Sequence, residues 1–331
     1  MSRREFGLAA GRGVGLGVKT MQLLTVRHVT TYRYKQPVSF GEHRMMFRPR
    51  DSYDQKLLEA RLVITPEPAE LRWVHDVFGN CVAIARFSGR AKELTFESTI
   101  RLDHSPTNVL DFQMEDYART YPFSYSSEEM PDLLRSIERQ YLDPERKVDR
   151  WARQFLDNAR PTGTHEFLVA MTHAINQRFT YVARHETGTQ DPLRTLALGS
   201  GTCRDFALLM MEAARSLGFA TRFVSGYVYS REAEGRRRTA KAHVGAGHAG
   251  SGSTHAWLQV YLPGAGWVEF DPTNGIVGNR DLIRVAVVRD PRQAVPLSGT
   301  WTGFPSDHLG MTIEVDVTAE HRLVDEGHAA K

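Results

Sequence analysis

Cysteine is nearly absent: the chain of 331 residues has two, Cys81 and Cys203. That count excludes a disulfide framework. A single cysteine with a histidine elsewhere is instead the pattern to examine for a catalytic thiol. An excess of one charge is missing too. The 42 Lys and Arg against 39 Asp and Glu leave +3, which provides no electrostatic footprint for nucleic acid or a membrane surface. No apolar run approaches the roughly 20 residues of a membrane span, and there is no internal repeat. What remains is the composition of a soluble globular protein, long enough for a sizeable core and two domains.

Residues 1–20 are glycine-rich and show no amphipathic period. Ser2-Arg3-Arg4-Glu5-Phe6 has a faint likeness to a twin-arginine export signal, but Arg12 interrupts the stretch that follows. We read 1–20 as a disordered tail or an upstream extension, start the first domain at Met21, and expect a cytoplasmic protein. Residues 22–34 alternate, with Leu24, Val26, His28, Thr30, Tyr32 and Tyr34 on one face. Strands are predicted at 57–65, 71–77, 82–87 and 94–102, with Phe78-Gly79-Asn80 as a hairpin signal. Residues 21–104 therefore form an antiparallel β domain, in which Cys81 is structural and His28, His43 and His75 are packed or surface histidines. A linker follows at 105–130. Helices are expected at 131–141, 148–157 and 164–177, then an extended piece at 179–181.

Gly199-Ser200-Gly201-Thr202-Cys203-Arg204-Asp205-Phe206-Ala207 reads as a glycine turn, an N-cap and a helix with cysteine in its first turn. The apolar positions Phe206, Ala207, Met210, Ala213, Ala214 and Leu217 share a face with Cys203, and Gly218 is a plausible stop. Backbone N–H groups and the macrodipole at such a helix start favour thiolate over thiol. An inert buried cysteine fits this stretch equally well. Asp205 is explained by the same dipole without catalysis.

Strands are predicted at 221–229, 254–262 and 267–271, the last two joined by Pro263-Gly264-Ala265-Gly266. His255 opens one strand of this hairpin and Asp271 ends the other. If the turn holds an odd number of residues, His255 faces Thr273 and Asp271 lies on its diagonal, within reach of a hydrogen bond. Cys203, His255 and Asp271 would then be nucleophile, base and orienter. The backbone N–H of Cys203 and the side chain of Tyr181 are candidate oxyanion donors. Trp257 and Trp267 are packing residues or substrate platforms. Between these strands, 231–253 is a glycine-rich segment with Arg231, Arg236, Arg237, Arg238 and Lys241, read as a solvated face or a lid. His243, His248 and His255 have no Cys or carboxylate partner nearby, so zinc is not expected, and no acidic calcium loop is found. Further strands are expected at 281–288 and 311–318, with a frayed tail at 321–331.

Gly201-Thr202-Cys203-Arg204-Asp205-Phe206-Ala207, Phe223-Val224-Ser225-Gly226-Tyr227, His255-Ala256-Trp257-Leu258-Gln259-Val260-Tyr261 and Gly266-Trp267-Val268-Glu269-Phe270-Asp271-Pro272-Thr273-Asn274 together resemble the bacterial transglutaminase-like family. Tyr32-Arg33-Tyr34, Arg48-Pro49-Arg50 and Phe78-Gly79-Asn80 are similar to its N-terminal region. The resemblance implies an α+β fold: a papain-like core at 131–320, its nucleophile helix packed on an antiparallel sheet, behind the β domain. It implies a cysteine site of Cys203, His255 and Asp271, no cofactor, and a peptide or protein amide as substrate. Hydrolysis of a peptide or isopeptide bond is the expected reaction, transglutaminase cross-linking the first rival and a non-catalytic peptide-binding module the second. Two departures stand out. The segment before His255 is longer and more basic than the family suggests. Val288-Arg289-Asp290-Pro291 stands where Gly-Arg-Asp-Tyr is usual, which we read as affecting a peripheral segment. The sequence does not indicate oligomeric state.

Overall fold

The computed structural model describes residues 19–105, 113–157, 159–183, 188–230 and 254–324. Its first sheet is built along β1 (Lys19–Met45), a strand of 27 residues. β2 (Gln55–Thr65), β3 (Glu70–His75), β4 (Cys81–Arg86) and β5 (Arg90–His104) join it in the order β2-β5-β1-β4-β3. The alternation at 22–34 runs on past Pro37 because the β1–β5 register breaks between Arg33 and Val38. The proline sits at that irregularity, where no ladder hydrogen bond is demanded of it.

β6 (Thr120–Tyr121) pairs with β7 (Thr162–Gly163), and α1 (Met130–Ile137) and α2 (Lys147–Arg153) lie between them in the chain. Both helices are shorter than their patterns suggest, because tertiary partners take the backbone. The N–H groups of Gln140 and Tyr141 donate to the Glu212 carboxylate at 3.2 and 3.4 Å. That of Asp157 donates to the Thr162 hydroxyl at 2.7 Å. α3 (Thr164–Arg178), β8 (Thr180–Tyr181), α4 (Pro192–Leu198) and β9 (Ser200–Gly201) lead into α5 (Cys203–Ser216).

The second sheet holds β10 (Thr221–Val228), β11 (His255–Leu262), β12 (Gly266–Asp271), β13 (Ile276–Val277) and β14 (Leu282–Val288), in the order β13-β12-β11-β10-β14. α5 packs on it: Phe206, Leu209, Met210 and Ala213 share a core with Phe223, Leu258, Val260 and Phe270. Each large side chain so buried contributes about 1.5–3 kcal/mol. Leu208 and Met211, on the helix's other sides, are buried too. A helix buried on all sides is a core helix, and its burial fixes where its first residue stands.

β15 (Leu297–Thr302) and β16 (His308–Val324) then return to the first sheet and pair with β1. β16 runs beside it from Lys19↔Val324 to Tyr34↔His308. This corrects the expected boundaries. The last strands of the 131–320 segment belong to the N-terminal sheet, and the tail expected to fray from 321 continues as strand to Val324. The cause is a shared core: Val315 and Val317 pack with Leu24, Val26, Ile100 and Leu102. Tyr227, Tyr229, Ile283 and Val285 of the second sheet enter the same cluster, so the two sheets are joined through apolar side chains.

Candidate active site

Cys203 is the first residue of α5 and is 6% exposed. The turn before it is held from the side. The Thr180 N–H donates to Gly199 O at 2.8 Å and the Val182 N–H to Gly201 O at 2.9 Å, so β8 runs parallel to β9. Asp205 closes the turn from below: Oδ2 accepts from the Thr202 N–H and hydroxyl at 2.8 and 2.9 Å, and Oδ1 from the Gln190 N–H at 2.6 Å. Thr202 thus donates its hydroxyl to the carboxylate rather than capping the helix with it. Asp205 is fully buried, so it organises the turn before Cys203 as well as meeting the dipole. A Cβ on Gly201 would stand 2.8 Å from that of Asp205, and this is the reason for glycine there.

The β11–β12 ladder closes at Leu262↔Gly266, leaving Pro263, Gly264 and Ala265 in the turn. The loop is odd, and the register continued beyond Leu258↔Phe270 sets His255 opposite Thr273 with Asp271 on the diagonal. His255 Nε2 donates to Asp271 Oδ2 at 2.8 Å, with both side chains wholly buried. Oδ1 of Asp271 accepts from the N–H groups of Thr273 and Asn274 at 2.9 and 3.3 Å. The Asn274 side chain donates to Oδ2 at 2.8 Å and lies 3.2 Å from His255 Nε2. With Nε2 fixed, His255 Nδ1 is buried without an oxygen or nitrogen partner, and the Cys203 side chain is close enough to hydrogen-bond the ring and to help hold its charge.

Burial alone would push the His255 pKa down. The Asp271 charge and hydrogen bond, with help from Cys203, reverse this and raise it to about 10. Burial likewise opposes ionisation of Asp271, but His255, Asn274 and the Thr273 N–H hold its pKa below the usual carboxylate value. The pair is therefore imidazolium and carboxylate at neutral pH.

Tyr181 pairs with Gly201 beside the turn before Cys203 and is 41% exposed. Burial, then the charges of Cys203 and Asp205, push its pKa up to about 12, so its phenol keeps a proton to donate. The tryptophans are placed differently. Trp257 is fully buried and stacks on the His255 ring at 5.8 Å between centroids. It is a wall behind the imidazole and offers no face to a substrate. Trp267 lies at the turn end of the hairpin, roughly 13 Å of strand away from Asp271, under the Arg222 guanidinium at 3.4 Å. Both cysteines are free, and Cys81 sits opposite His75 in the β3–β4 hairpin.

The sequence reading missed Asn274 and Asn176. The Asn176 side chain, on α3, donates to Thr273 O at 2.7 Å and so pins the turn after Asp271. An Asx residue two or three places beyond a strand-end carboxylate was the available signal. The basic segment 231–253, with His243 and His248, lies outside the described residues. Among the described residues no three His, Cys, Asp or Glu side chains are grouped to hold a metal ion. No helix there is long and apolar enough to cross a membrane.

Residues 24–103 match the profile of the bacterial transglutaminase-like N-terminal region, and residues 149–272 that of the transglutaminase-like superfamily. The chain belongs to the bacterial transglutaminase-like family. The family's cysteine-dependent enzyme kind goes with that membership. Its core profile takes in Cys203 and His255 and ends one residue past Asp271. Among relatives of this transglutaminase-like chain, an uncharacterized protein of Mycobacterium bovis is 27% identical, over 93% of this chain and 97% of its own length. Another, of Mycobacterium leprae, is 24% identical over 89% and 99%. The solved structure of a "Putative Cysteine Protease from Cytophaga hutchinsonii" shares the fold with a TM-score of 0.64 at 18% identity, covering 90% of this chain and 91% of that one.

Proposed function

We propose that the protein is a cysteine amidohydrolase that cleaves a peptide or isopeptide bond through a thioester. The observation that carries this reading is the His255 ring, with Nε2 tied to Asp271 and the Cys203 side chain hydrogen-bonding the ring at the head of α5. The proton of Cys203 Sγ already resides on His255 Nδ1 in a thiolate–imidazolium pair, so the sulfur enters as thiolate. The sulfur forms a bond to the carbonyl carbon, and the oxyanion is met by the Cys203 N–H, which has no helical partner at this position, and by the Tyr181 hydroxyl. Collapse breaks the C–N bond, and the amine leaves with the proton from His255. Water, deprotonated by the same ring, cleaves the thioester and frees the acid and Sγ. Asp271 orients the ring and offsets its charge throughout. No cofactor enters this sequence.

The name given to the Cytophaga hutchinsonii protein supports hydrolysis over cross-linking. Two reduced cysteines suit the cytoplasm, where we place the protein. The test is incubation with a glutamine-containing peptide and a labelled primary amine. Free acid and ammonia or amine product, lost in Cys203→Ala, are expected. Labelled amide without free acid would make the enzyme a transglutaminase. Binding of the peptide with neither product would leave a peptide-binding module.

A further inference from the structure

Two motifs of the N-terminal region, Arg48-Pro49-Arg50 and Phe78-Gly79-Asn80, take no part in the site above. They meet at the β3–β4 hairpin. Arg50 Nη1 donates to Phe78 O at 3.4 Å, so this arginine fastens the hairpin tip. Arg48 is different. Its neighbours Phe47 and Pro49 are buried, which fixes its backbone, while Arg48 itself is exposed. It borders a cavity of about 270 Å³ together with Trp73, Val74, His75 and Cys81. Among the described residues, none forms a hydrogen bond or ion pair with the side chains of Arg48, Trp73, His75 or Cys81. Four side chains able to meet a ligand therefore converge on one space without being engaged by the fold.

The wall of this cavity is preformed. The Asp76 N–H donates to Asn80 O at 3.1 Å. His75 and Cys81, one step inward, are then a pair without ladder hydrogen bonds, the kind whose facing side chains stand closest, about 4.5–5.5 Å between Cβ atoms. The hairpin is also locked onto β14: the Asn80 side chain donates to Val287 O and accepts from the Val287 N–H, each at 2.9 Å. Trp73 lies two residues before His75, on the same face of β3, and is 45% exposed. The charge of the cavity is one-sided. Asp76, beside it in sequence, is taken up by the N–H groups of Phe78 and Asn80 and by the Asn80 amide, at 2.8–2.9 Å. No Asp or Glu lines the space. A guanidinium is a fork for the two oxygens of a carboxylate, and one fixed cation answers one negative charge rather than the two of a phosphate monoester. An indole adds apolar area and a ring to stack on. The volume falls just below the roughly 300–1,000 Å³ of pockets for drug-sized ligands, so the occupant is small.

We propose that this cavity is a binding site for a small aromatic monocarboxylate, held with its carboxylate on Arg48 and its ring against Trp73, beside His75 and Cys81. The site belongs to the first sheet and does not depend on the reaction proposed for Cys203.

Cys81 is the reporter. The full chain carrying Cys203→Ala is alkylated with iodoacetamide in rising concentrations of phenylacetate, and modification of Cys81 is read by peptide mass spectrometry. Phenylacetate should slow alkylation to a plateau. Phenylacetamide, with nearly the same shape and no charge, should not. Arg48→Met should raise the half-protecting concentration roughly tenfold, as expected for a lost hydrogen bond to a charged group, without lowering the melting temperature, because Arg48 bonds to nothing in the fold. Arg48→Lys should fall between the two, since it keeps the charge and loses the fork. Trp73→Ala should also weaken protection, and cyclohexylacetate should protect less well than phenylacetate. Absent protection, protection that rises without a plateau, or equal protection by phenylacetamide or in Arg48→Met would each overturn the proposal. Phenyl phosphate protecting at lower concentration than phenylacetate would overturn it as well, by making this a phosphate site.

Discussion

Arg284 of β14 is forked onto Asp54, in the turn that leads into β2 of the first sheet, with Nη2 and Nη1 at 2.5 and 2.8 Å from the two carboxylate oxygens. The same guanidinium reaches Glu269 on β12 at 2.6 Å, and Asn279 donates to Asp54 from the side. One cation therefore ties the N-terminal sheet to the strand that ends in Asp271. Asp54 is 2% exposed, and removing one partner of a buried pair leaves the other uncompensated. We expect Asp54→Ala to lower the unfolding free energy by about 3 kcal/mol, read by chemical denaturation. Burial opposes ionisation of Asp54, but Arg284, Ser52 and Asn279 hold its pKa below the usual carboxylate value. A depressed pKa means stability that is present above the unfolded value and lost as pH falls through the folded one. The gap between wild type and Asp54→Ala should therefore close in acid. A gap that persists there would show that the charge is not what matters.

The His255 pKa of about 10 makes the opposite prediction. A raised pKa contributes stability that is complete below the unfolded value near 6.5 and disappears as pH rises through about 10. In the proposed reaction, the imidazolium that protonates the leaving amine is lost over the same range. Turnover should fall on an alkaline limb near that pH. Asp271→Asn removes the largest influence raising the pKa, so the limb should move down by more than one unit and kcat should drop on the order of 10²-fold. NMR titration of the His255 ring checks the assignment directly. An alkaline limb that stays in place in Asp271→Asn would detach His255 from it.

Much of this site is legible from local patterns. The hairpin of β11 and β12 was legible but its parity was not: the four residues Pro263 to Gly266 read as turn would set Asp271 on the wrong face, and it is the pairing of Gly266 with Leu262 that leaves three. The glycine turn and apolar face around Cys203 marked a core helix start. What was not legible depends on contacts distant in sequence. Alternation at 311–318 marks a strand, but nothing local says that it pairs with β1 rather than β14. The carboxylate of Glu212 ends α1 from more than seventy residues away, which no helix propensity encodes. Asp205 looked like a dipole partner because its bonds to Thr202 and Gln190 exist only once the turn is folded.

Asn274 supplies a more discriminating test. Its amide N–H and the His255 Nε2–H converge on the same Asp271 oxygen, so it keeps that carboxylate ionised without touching the thiol. Asn274→Ala should reduce kcat about tenfold, with KM little changed and the fold intact, because one charge-assisted hydrogen bond is lost. Asn274→Asp should be worse than alanine above pH 5 or so, since a like charge beside Asp271 raises both carboxylates. Steady-state kinetics on the two variants decide it. An aspartate variant as active as wild type would mean that the Asn274 amide is incidental.

Tyr181 separates oxyanion binding from architecture. Its backbone belongs to the β8–β9 pair that shapes the nucleophile turn, and any side chain preserves that pairing. Its ring is 41% exposed, so Tyr181→Phe should melt within about 0.5 kcal/mol of wild type. If the hydroxyl donates to the oxyanion, the same change should lower kcat by on the order of 10²-fold and leave the alkylation rate of Cys203 nearly untouched, because alkylation forms no oxyanion. Single-turnover acylation beside iodoacetamide kinetics makes the comparison. Loss of both rates together would mean that Tyr181 positions the thiolate, and retention of both would leave the Cys203 N–H as the donor that matters.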